Sequence, residues 1–493
     1  MGERLSPALV AAFATVLCMP AAAADANQSA IEFCLHGEFD LGGRLQGMHP
    51  GAGEFAAAEW CVVTEDESER VHFHAAGHSN PDLSGAFAVT YLPPDVVRIV
   101  NADAPPDLDF TDAMISAEAL RNRRIDPQRL VEEIAAHPEW VASESEDGWQ
   151  TVRYPGAPAE ARLQIVDGRL QALQTSADLP LRGRVPVHWD WDWLSVTEPR
   201  LTFEVDVEPM FKARGQWRLL DNGEAAAVWQ PSADQPPRQI PGSAWPARID
   251  MRLEQLAEDV YIVRGVRTGF HHLVIDTSAG LVVGDAPAGW VELTQIPPAD
   301  LVPGSGISGL SERFIDFLDK ALPGRPIRAV ALTHAHDDHA GGARAFAAAG
   351  AKVYAPAEVS DFLQTAFNRD SMPPDRLSAM DGEVAIHPVS GSVTLQGGNT
   401  VKLLDIGAGP HVSASLGVLV VEQDLFFQSD LHVPNSDSDT PREDRLATEC
   451  WFAQWAVEHL RPETVVLNSH TTVRTPASRL AKYVESPDCQ GGA

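Results

Sequence analysis

Six consecutive residues, from His334 to His339, contain three histidines and two aspartates. They follow the apolar run IRAVALT and precede the small-residue run AGGARAFAAAG, a pattern that predicts a turn between a buried strand and a helix. Ligands collect at the carboxyl ends of strands in α/β folds, because side chains there stand on a rigid support. His334 and His336 alternate and can point one way, whereas Asp338 and His339 can reach a neighbouring point. The spacing therefore predicts two adjacent metal positions.

Three further groups that can bind metal each follow a separate apolar run. His411 comes shortly after VKLLDIG, Asp430 directly after LFFQS, and His470 directly after TVVLNS. One or two such placements could arise by chance, but a full set at predicted strand ends favours a shared site. A buried histidine or carboxylate also needs a partner, which a metal ion supplies.

The order H-A-H-D-D-H, a distant histidine, S-D and a terminal histidine resembles the motifs of the metallo-β-lactamase superfamily over about residues 250 to 480. The resemblance implies an αβ/βα sandwich with a binuclear site on one edge. Asp285, at the end of GLVVGDA, matches a family aspartate and is expected to support a ligand. The implied assignment gives the first metal His334, His336 and His411, the second metal Asp338, His339 and His470, and makes Asp430 the bridging ligand.

Such a site implies a metal-dependent hydrolase. Two divalent cations about 3.5–4 Å apart lower the pKa of a shared water and supply a bridging hydroxide as nucleophile. Asp338 would be the catalytic residue that orients this nucleophile and takes its proton. Ligands that are all histidine or aspartate suit two zinc ions, with iron or manganese as alternatives.

The residue at position 430 narrows the predicted class of hydrolase. One subgroup of zinc β-lactamases resembles this layout but has a cysteine there, whereas the aspartate is similar to glyoxalase II-like thioesterases and lactonases. The expected substrate is a small ester, lactone or thioester. The alternatives are a mononuclear-iron enzyme similar to persulfide dioxygenases, a phosphodiesterase, and a β-lactamase-type hydrolase.

The beginning of the chain predicts export. Residues 1–24 combine a charged start, an apolar stretch and a run of small residues ending in an A-x-A site, which is typical of a signal peptide. The mature protein would be periplasmic or secreted. Four cysteines then remain, and an oxidising compartment favours the local pairs Cys34–Cys61 and Cys450–Cys489, although four cysteines permit three connectivities.

Charge limits the partners of the protein. The formal net charge is -32, and five of the 37 basic residues are lysines. Such a field repels polyanions, so we expect no nucleic acid partner and no polybasic membrane anchor. No apolar run after the signal peptide is long enough to span a bilayer, so we expect no stable membrane anchor. The expected partner is a small-molecule substrate, and the oligomeric state stays open.

A proline-rich stretch divides the chain. Residues 231–249 contain five prolines and no periodic pattern, which predicts a linker. Before it, residues 25–230 show mostly period-two alternation, which predicts a mainly β accessory domain. This domain could itself bind a ligand or an envelope partner. After the linker, residues 250–493 alternate strands with helices, so the fold class is α/β, with the mainly β domain preceding the sandwich.

Several other motifs are interpreted as structural. GSGISG follows no buried strand and is not a dinucleotide fingerprint, and the absence of G-x-S-x-G weakens a serine-hydrolase interpretation. Alternating tryptophans at 189, 191 and 193 are more typical of a sheet face packed on a helix than of a ligand platform. Among the histidines outside the motif, His72, His74 and His78 are interpreted as surface groups, and His271 and His272 as structural or pocket-rim groups.

Overall fold

The computed structural model describes residues 31–39, 56–65, 68–75, 85–92, 96–101, 127–144, 148–153, 160–179, 181–193, 201–207, 211–219, 238–241, 250–267, 270–288, 307–395, 397–434, 438–442 and 445–490. The predicted signal peptide, His78 and most of the predicted linker lie outside these residues. So do the side chains of His72, His74 and Trp189.

The N-terminal part of the described chain is rich in strands, as the alternation predicts. Its strands form one sheet in the order β13-β5-β4-β3-β2-β1-β12-β11-β10-β9-β8-β7-β6, with antiparallel pairing throughout. Helix α1 (Pro127–Ala136) interrupts the strands and contacts β9. The strands are β1 Ile31–Phe39, β2 Ala56–Glu65, β3 Ser68–Ala75, β4 Gly85–Leu92, β5 Val96–Asn101, β6 Val141–Glu144, β7 Trp149–Val152, β8 Ala161–Val166, β9 Arg169–Leu179, β10 Gly183–Trp193, β11 Leu201–Val207, β12 Phe211–Leu219 and β13 Arg238–Pro241.

Two further sheets form the C-terminal part. The first has the order β14-β15-β16-β17-β18-β19-β20, and the second has the order β21-β22-β23-β24-β25-β26. Their strands are β14 Arg252–Ala257, β15 Val260–Arg267, β16 Phe270–Thr277, β17 Gly280–Gly284, β18 Ile327–Ala331, β19 Lys352–Pro356, β20 Ile386–Val389, β21 Ser392–Leu395, β22 Val401–Gly407, β23 Ser415–Val420, β24 Leu425–Phe427, β25 Val465–Leu467 and β26 Thr475–Pro476.

Helices cover the outer faces of these two sheets. The described helices are α2 Gly309–Ala321, α3 Asp337–Ala340, α4 Ala343–Ala348, α5 Ala357–Phe367, α6 Leu446–His459, α7 Ala477–Glu485 and α8 Pro487–Gln490. Apolar side chains of α2, α4 and α5, among them Phe314 and Phe346, pack on one face of the first sheet. Phe452 of α6 and Leu480 of α7 pack on the outer face of the second.

The two C-terminal sheets face each other across an apolar layer. Val282 and Ala331 of the first sheet belong to one buried cluster with Val418 and Phe427 of the second. Strands buried on both faces read as continuous apolar runs, which explains sequences such as GLVVG and LFF. The resulting order of layers, helix, sheet, sheet, helix, is the predicted αβ/βα sandwich.

Parallel pairing brings several loops to one edge of this sandwich. β17 pairs in parallel with β18, and β24 pairs in parallel with β25. Parallel neighbours end at the same edge of a sheet, so the residues that follow them meet there. The loops after these four strands carry Asp285, His334, Asp430 and His470.

Two disulfide bonds join cysteines close in the fold. Cys34 and Cys61 are cross-strand partners in β1 and β2, and Cys450 of α6 is bonded to Cys489 of α8. Both pairs agree with the connectivity favoured from the sequence. No helix in the described part of the chain is long and apolar enough to cross a membrane.

Gly417 lies where β23 leaves no room for a side chain. A Cβ atom at this position would collide with the ring of Phe426, which is fully buried in the second sheet. We expect Gly417→Ala to lower the free energy of unfolding by about 1–3 kcal/mol, because the packed ring has no space to move. Denaturant unfolding of the full chain measures the change.

The double variant Gly417→Ala/Phe426→Leu is the control for this explanation. The smaller leucine should relieve the collision, so the double variant should be less destabilised than the sum of the two single variants. Strictly additive effects would contradict a steric origin.

Candidate metal centre

The seven predicted metal ligands meet in two groups that share Asp430. Within each group one nitrogen or oxygen atom per residue lies within 4.8 Å of every other. All seven side chains are almost completely buried. The first group contains His334, His336, His411 and Asp430, and the second contains Asp338, His339, His470 and Asp430.

Each ligand follows a strand of the sandwich. His334 and His336 come after β18, and the short helix α3 begins directly after His336. His411 follows β22, Asp430 follows β24, and His470 follows β25. The strands are buried and rigid, so the loops that leave their ends hold these side chains at fixed positions.

One oxygen of Asp430 faces the first group. Its Oδ2 atom lies 3.1 Å from Nε2 of His411, 3.5 Å from Nε2 of His334 and 3.9 Å from Nδ1 of His336. The three imidazoles therefore surround one carboxylate oxygen on the side of β18 and β22.

The other oxygen of Asp430 faces the second group. Its Oδ1 atom lies 2.7 Å from Nε2 of His470 and 3.2 Å from Nε2 of His339. Oδ2 of Asp338 lies 3.2 Å from the same Nε2 of His339. The carboxylate of Asp430 thus stands between the groups with one oxygen toward each, which is the arrangement of a bridging ligand.

The spacing of these atoms fits divalent metal ions. Bonds of about 2.0–2.1 Å in a tetrahedral shell place neighbouring ligand atoms about 3.3 Å apart, which falls within the 2.7–3.9 Å observed. Oδ2 of Asp338 and Nε2 of His334 contact other members of the two groups, at 3.2 and 3.5 Å. Within the described part of the chain, Oδ1 of Asp338 has no hydrogen-bond partner. Buried polar atoms without such partners are costly, and metal ions would satisfy them.

The charges around His339 also favour bound metal ions. Burial opposes protonation of this imidazole, but the carboxylates of Asp338, Asp430 and Asp285 outweigh burial and raise the pKa of His339 well above its usual range. Three buried carboxylates therefore demand positive charge at this point. Bound cations meet that demand without protonating a ligand.

Asp285 supports the second group from behind. Its Oδ2 atom lies 3.0 Å from Nδ1 of His339 and also accepts a hydrogen bond from the Ser429 hydroxyl, while its Oδ1 accepts the backbone N–H of Thr333 at 2.7 Å. An Nδ1–H held by a carboxylate leaves Nε2 free to bind metal. Burial favours the neutral acid, but the hydrogen bond from His339 and the charges of the neighbouring imidazoles together outweigh burial and lower the pKa of Asp285.

Other supporting residues were not found by the sequence analysis. The Thr333 hydroxyl donates to Ser429 at 2.8 Å and lies 3.0 Å from Nδ1 of His334, so one network joins both groups. Oδ1 of Asn468 accepts the backbone N–H of His470 at 2.8 Å. Thr333 and Ser429 lie one residue before a ligand and Asn468 lies two residues before one, and this proximity in sequence is the signal that could have found them.

The segment around Asp430 is held by longer side chains. Oε1 of Gln428 accepts the backbone N–H groups of Leu431 and His432, at 2.7 and 3.2 Å. The guanidinium of Arg445 donates to the backbone carbonyl of Asp430. Arg445 follows Asp430 by 15 residues, so no local pattern marks it.

His271 and His272 belong to neither group of ligands. His272 is fully buried and its Nδ1 donates to the carbonyl of Gly284 at 3.0 Å, so it is a core residue and not a pocket rim. The backbone N–H of His271 donates to the carbonyl of Ser469 at 2.7 Å. Burial lowers the pKa of His272 to about 4 and that of His271 to about 3, so both stay neutral at pH 7.

Replacing the carboxylate behind His339 tests the supporting role of Asp285. We expect Asp285→Asn to weaken zinc binding by about 10–100-fold, because the amide holds the imidazole less well and removes a buried negative charge. Competition with a chromophoric chelator measures the affinity. Asp276→Asn, in β16 and paired with Arg325, is the control. Equal affinities in the two variants would contradict this role.

The low pKa of His272 predicts acid sensitivity. The unfolded chain takes up a proton near pH 6.5 and the folded chain near pH 4, so the free energy of unfolding falls as the pH drops through this range. In metal-free protein, the free energy of unfolding should decrease between pH 7.5 and pH 5.0 by about 2 kcal/mol less in His272→Gln than in the unaltered protein. Urea unfolding measures it, with His188→Gln at an exposed site as control. An equal decrease in the free energy of unfolding in all three proteins would contradict a lowered pKa of His272.

Comparison with known proteins agrees with this geometry. Residues 306–423 match the family model described as the metallo-beta-lactamase superfamily. This region contains the H-A-H-D-D-H turn and His411. A search of curated proteins found no match.

Several solved structures resemble the chain over about half its length. A metallo-beta-lactamase from Pontibacter korlensis shares 18% identity over 47% of this chain and 96% of its own, with a TM-score of 0.34. A metallo-beta-lactamase from Hirschia baltica shares 17% sequence identity over 47% of this chain and 95% of its own, with a TM-score of 0.33. The metallo-beta-lactamase FIM-1 from Pseudomonas aeruginosa, in its mono-zinc form, shares 16% sequence identity over 50% of this chain and 95% of its own, with a TM-score of 0.33. The similarity to the metallo-β-lactamase superfamily therefore lies in the C-terminal part of the chain, at residues 306–423.

Proposed function

We propose that this protein is an exported hydrolase that uses two divalent metal ions to cleave a small ester, lactone or thioester. The observation that carries the proposal is the position of the Asp430 carboxylate, with one oxygen toward each group of ligands. A single metal would leave the other group of buried imidazoles and carboxylates without a cation, which is energetically unfavourable.

The donor atoms favour zinc. All are imidazole nitrogens or carboxylate oxygens, a set that also accepts iron or manganese. When bound, the two ions supply Lewis acidity and lower the pKa of water toward neutrality. Burial of the ligands keeps the surrounding dielectric low, which strengthens every charge interaction in the site.

Asp338 is the proposed catalytic residue. Its Oδ2 atom lies 3.2 Å from Nε2 of His339, whereas its Oδ1 atom has no hydrogen-bond partner among the described residues. It can therefore orient an attacking water and accept its proton. The chain's own contribution to catalysis is to hold this acceptor, through the adjacent His339 and Asp285, at a fixed place beside the substrate.

Charge and export support the substrate class. A formal net charge of -32 disfavours a polyanionic substrate, so a small molecule with one reactive carbonyl fits better than a nucleic acid. The two disulfide bonds fit an oxidising compartment, in agreement with the signal-like N-terminus. We propose a periplasmic or secreted protein on these grounds.

Metal stoichiometry of the full chain tests the proposal. We expect two equivalents of zinc in the unaltered protein and one in each of His336→Ala and His470→Ala, because each variant loses one group of ligands. Asp276→Asn should keep two. Elemental analysis after removal of loosely bound metal gives the counts. One equivalent in the unaltered protein, retained by one of the two histidine variants, would overturn the binuclear proposal.

Activity on defined substrates completes the test. The zinc-loaded chain should hydrolyse a lactone, an aryl ester or a thioester, and chelation should abolish the activity. Asp338→Asn should lower kcat by about 10²–10⁴-fold, as expected on loss of a proton acceptor. Two bound metals together with turnover of a phosphodiester or a β-lactam only would refute the substrate class while sparing the metal centre.

A further inference from the structure

The turn between β9 and β10 inserts into the C-terminal sandwich. We use the name β9–β10 turn for Leu181 and Arg182 together with Gly183 and Arg184, the first two residues of β10. Leu181 is fully buried, and it belongs to the apolar cluster that holds the helices on the first sheet of the sandwich. A leucine at the tip of a hairpin would normally be exposed, so its burial in this cluster shows an intimate contact between the two parts of the chain.

The turn contacts the 368–385 loop, which connects α5 to β20. The backbone N–H of Arg184 donates to the carbonyl of Ser371 at 2.6 Å, and the Ser371 hydroxyl lies 3.4 Å from the carbonyl of Arg182. Gly183 has a φ of +72° and packs so closely that a Cβ atom would lie 2.6–2.8 Å from Ser371. The backbone conformation and the contact both require glycine here.

The same loop is bonded to the helix that follows the histidine turn. Arg344 of α4 donates to both oxygens of Asp375, at 2.6 and 2.8 Å, and to the carbonyl of Phe367 at 2.6 Å. The Arg344 and Asp375 side chains are 6% and 4% exposed, so this bidentate pair is strongly shielded from water. A displacement of the loop would therefore act on α4, which begins four residues after His339.

The β9–β10 turn is thus linked to the segment that carries the histidine turn through the 368–385 loop and α4.

We infer that the β9–β10 turn of the N-terminal sheet is a positioning element of the metal centre, with Leu181 as its anchor and Gly183 as its contact to the 368–385 loop. The N-terminal sheet is then part of the working enzyme and not a separable accessory. This inference rests on the metal centre proposed above.

Two pairs of matched variants in the full chain test the inference. Leu181→Ala is compared with Leu170→Ala, which removes an equally buried leucine from β9 outside that apolar cluster. Gly183→Ala is compared with Gly168→Ala, a turn glycine with a similar φ of +73° and nothing within 4 Å of its Cβ position. The two members of each pair carry a similar intrinsic cost, but only the first disturbs the contact.

The readouts are zinc affinity, by chelator competition, and amide hydrogen exchange of residues 334–346 and 368–385. We expect Leu181→Ala and Gly183→Ala to weaken zinc binding about tenfold or more and to speed exchange in both segments. Leu170→Ala and Gly168→Ala should leave both readouts unchanged while lowering Tm. Equal zinc affinities and exchange rates within both pairs would overturn the inference. Failure of the unaltered protein to bind zinc would instead refute the proposed function.

Discussion

The structure depends on the burial of three carboxylates at one point. Asp285, Asp338 and Asp430 surround His339 in a region without solvent, and their combined charge is stable only if cations stand among them. The five ligand histidines of the two groups supply nitrogen donors in place of more negative charge. The electrostatics of the folded chain therefore favour positive charge at this point, which supports the metal-dependent hydrolytic function proposed here.

The sandwich is the support that makes such a concentration of charge possible. Parallel strands of two sheets end at a common edge, and the apolar layer between the sheets, with Phe427 and Val282 in it, keeps those strand ends apart at a constant distance. Hydrogen bonds from Thr333 and Ser429 then join side chains from both sheets. Rigid packing holds the ligands before any metal arrives, which limits the entropy lost on binding.

The contact of the β9–β10 turn extends this support beyond the sandwich. Leu181 enters the same apolar cluster that fixes α2, α4 and α5, so the N-terminal sheet shares a core with the metal-binding part. Ser371 and Asp375 lie in one loop, and the first contacts the turn while the second pairs with Arg344. The mainly β N-terminal region thus contacts the part of the chain that holds the candidate metal centre, and its own composition does not predict this contact.

The sequence by itself determined the fold class, the family that the C-terminal region resembles and the candidate ligands. Each ligand lies in the segment that follows an apolar strand, and the order of these segments can be read along the chain. Only the tertiary structure decided how they are supported. Ser429 reaches Asp285 across 144 residues, and His272, which is not one of the candidate ligands, is fully buried. The insertion of Leu181 likewise leaves no periodic trace. Such contacts join residues with no regular spacing, and they form only when separate layers pack together.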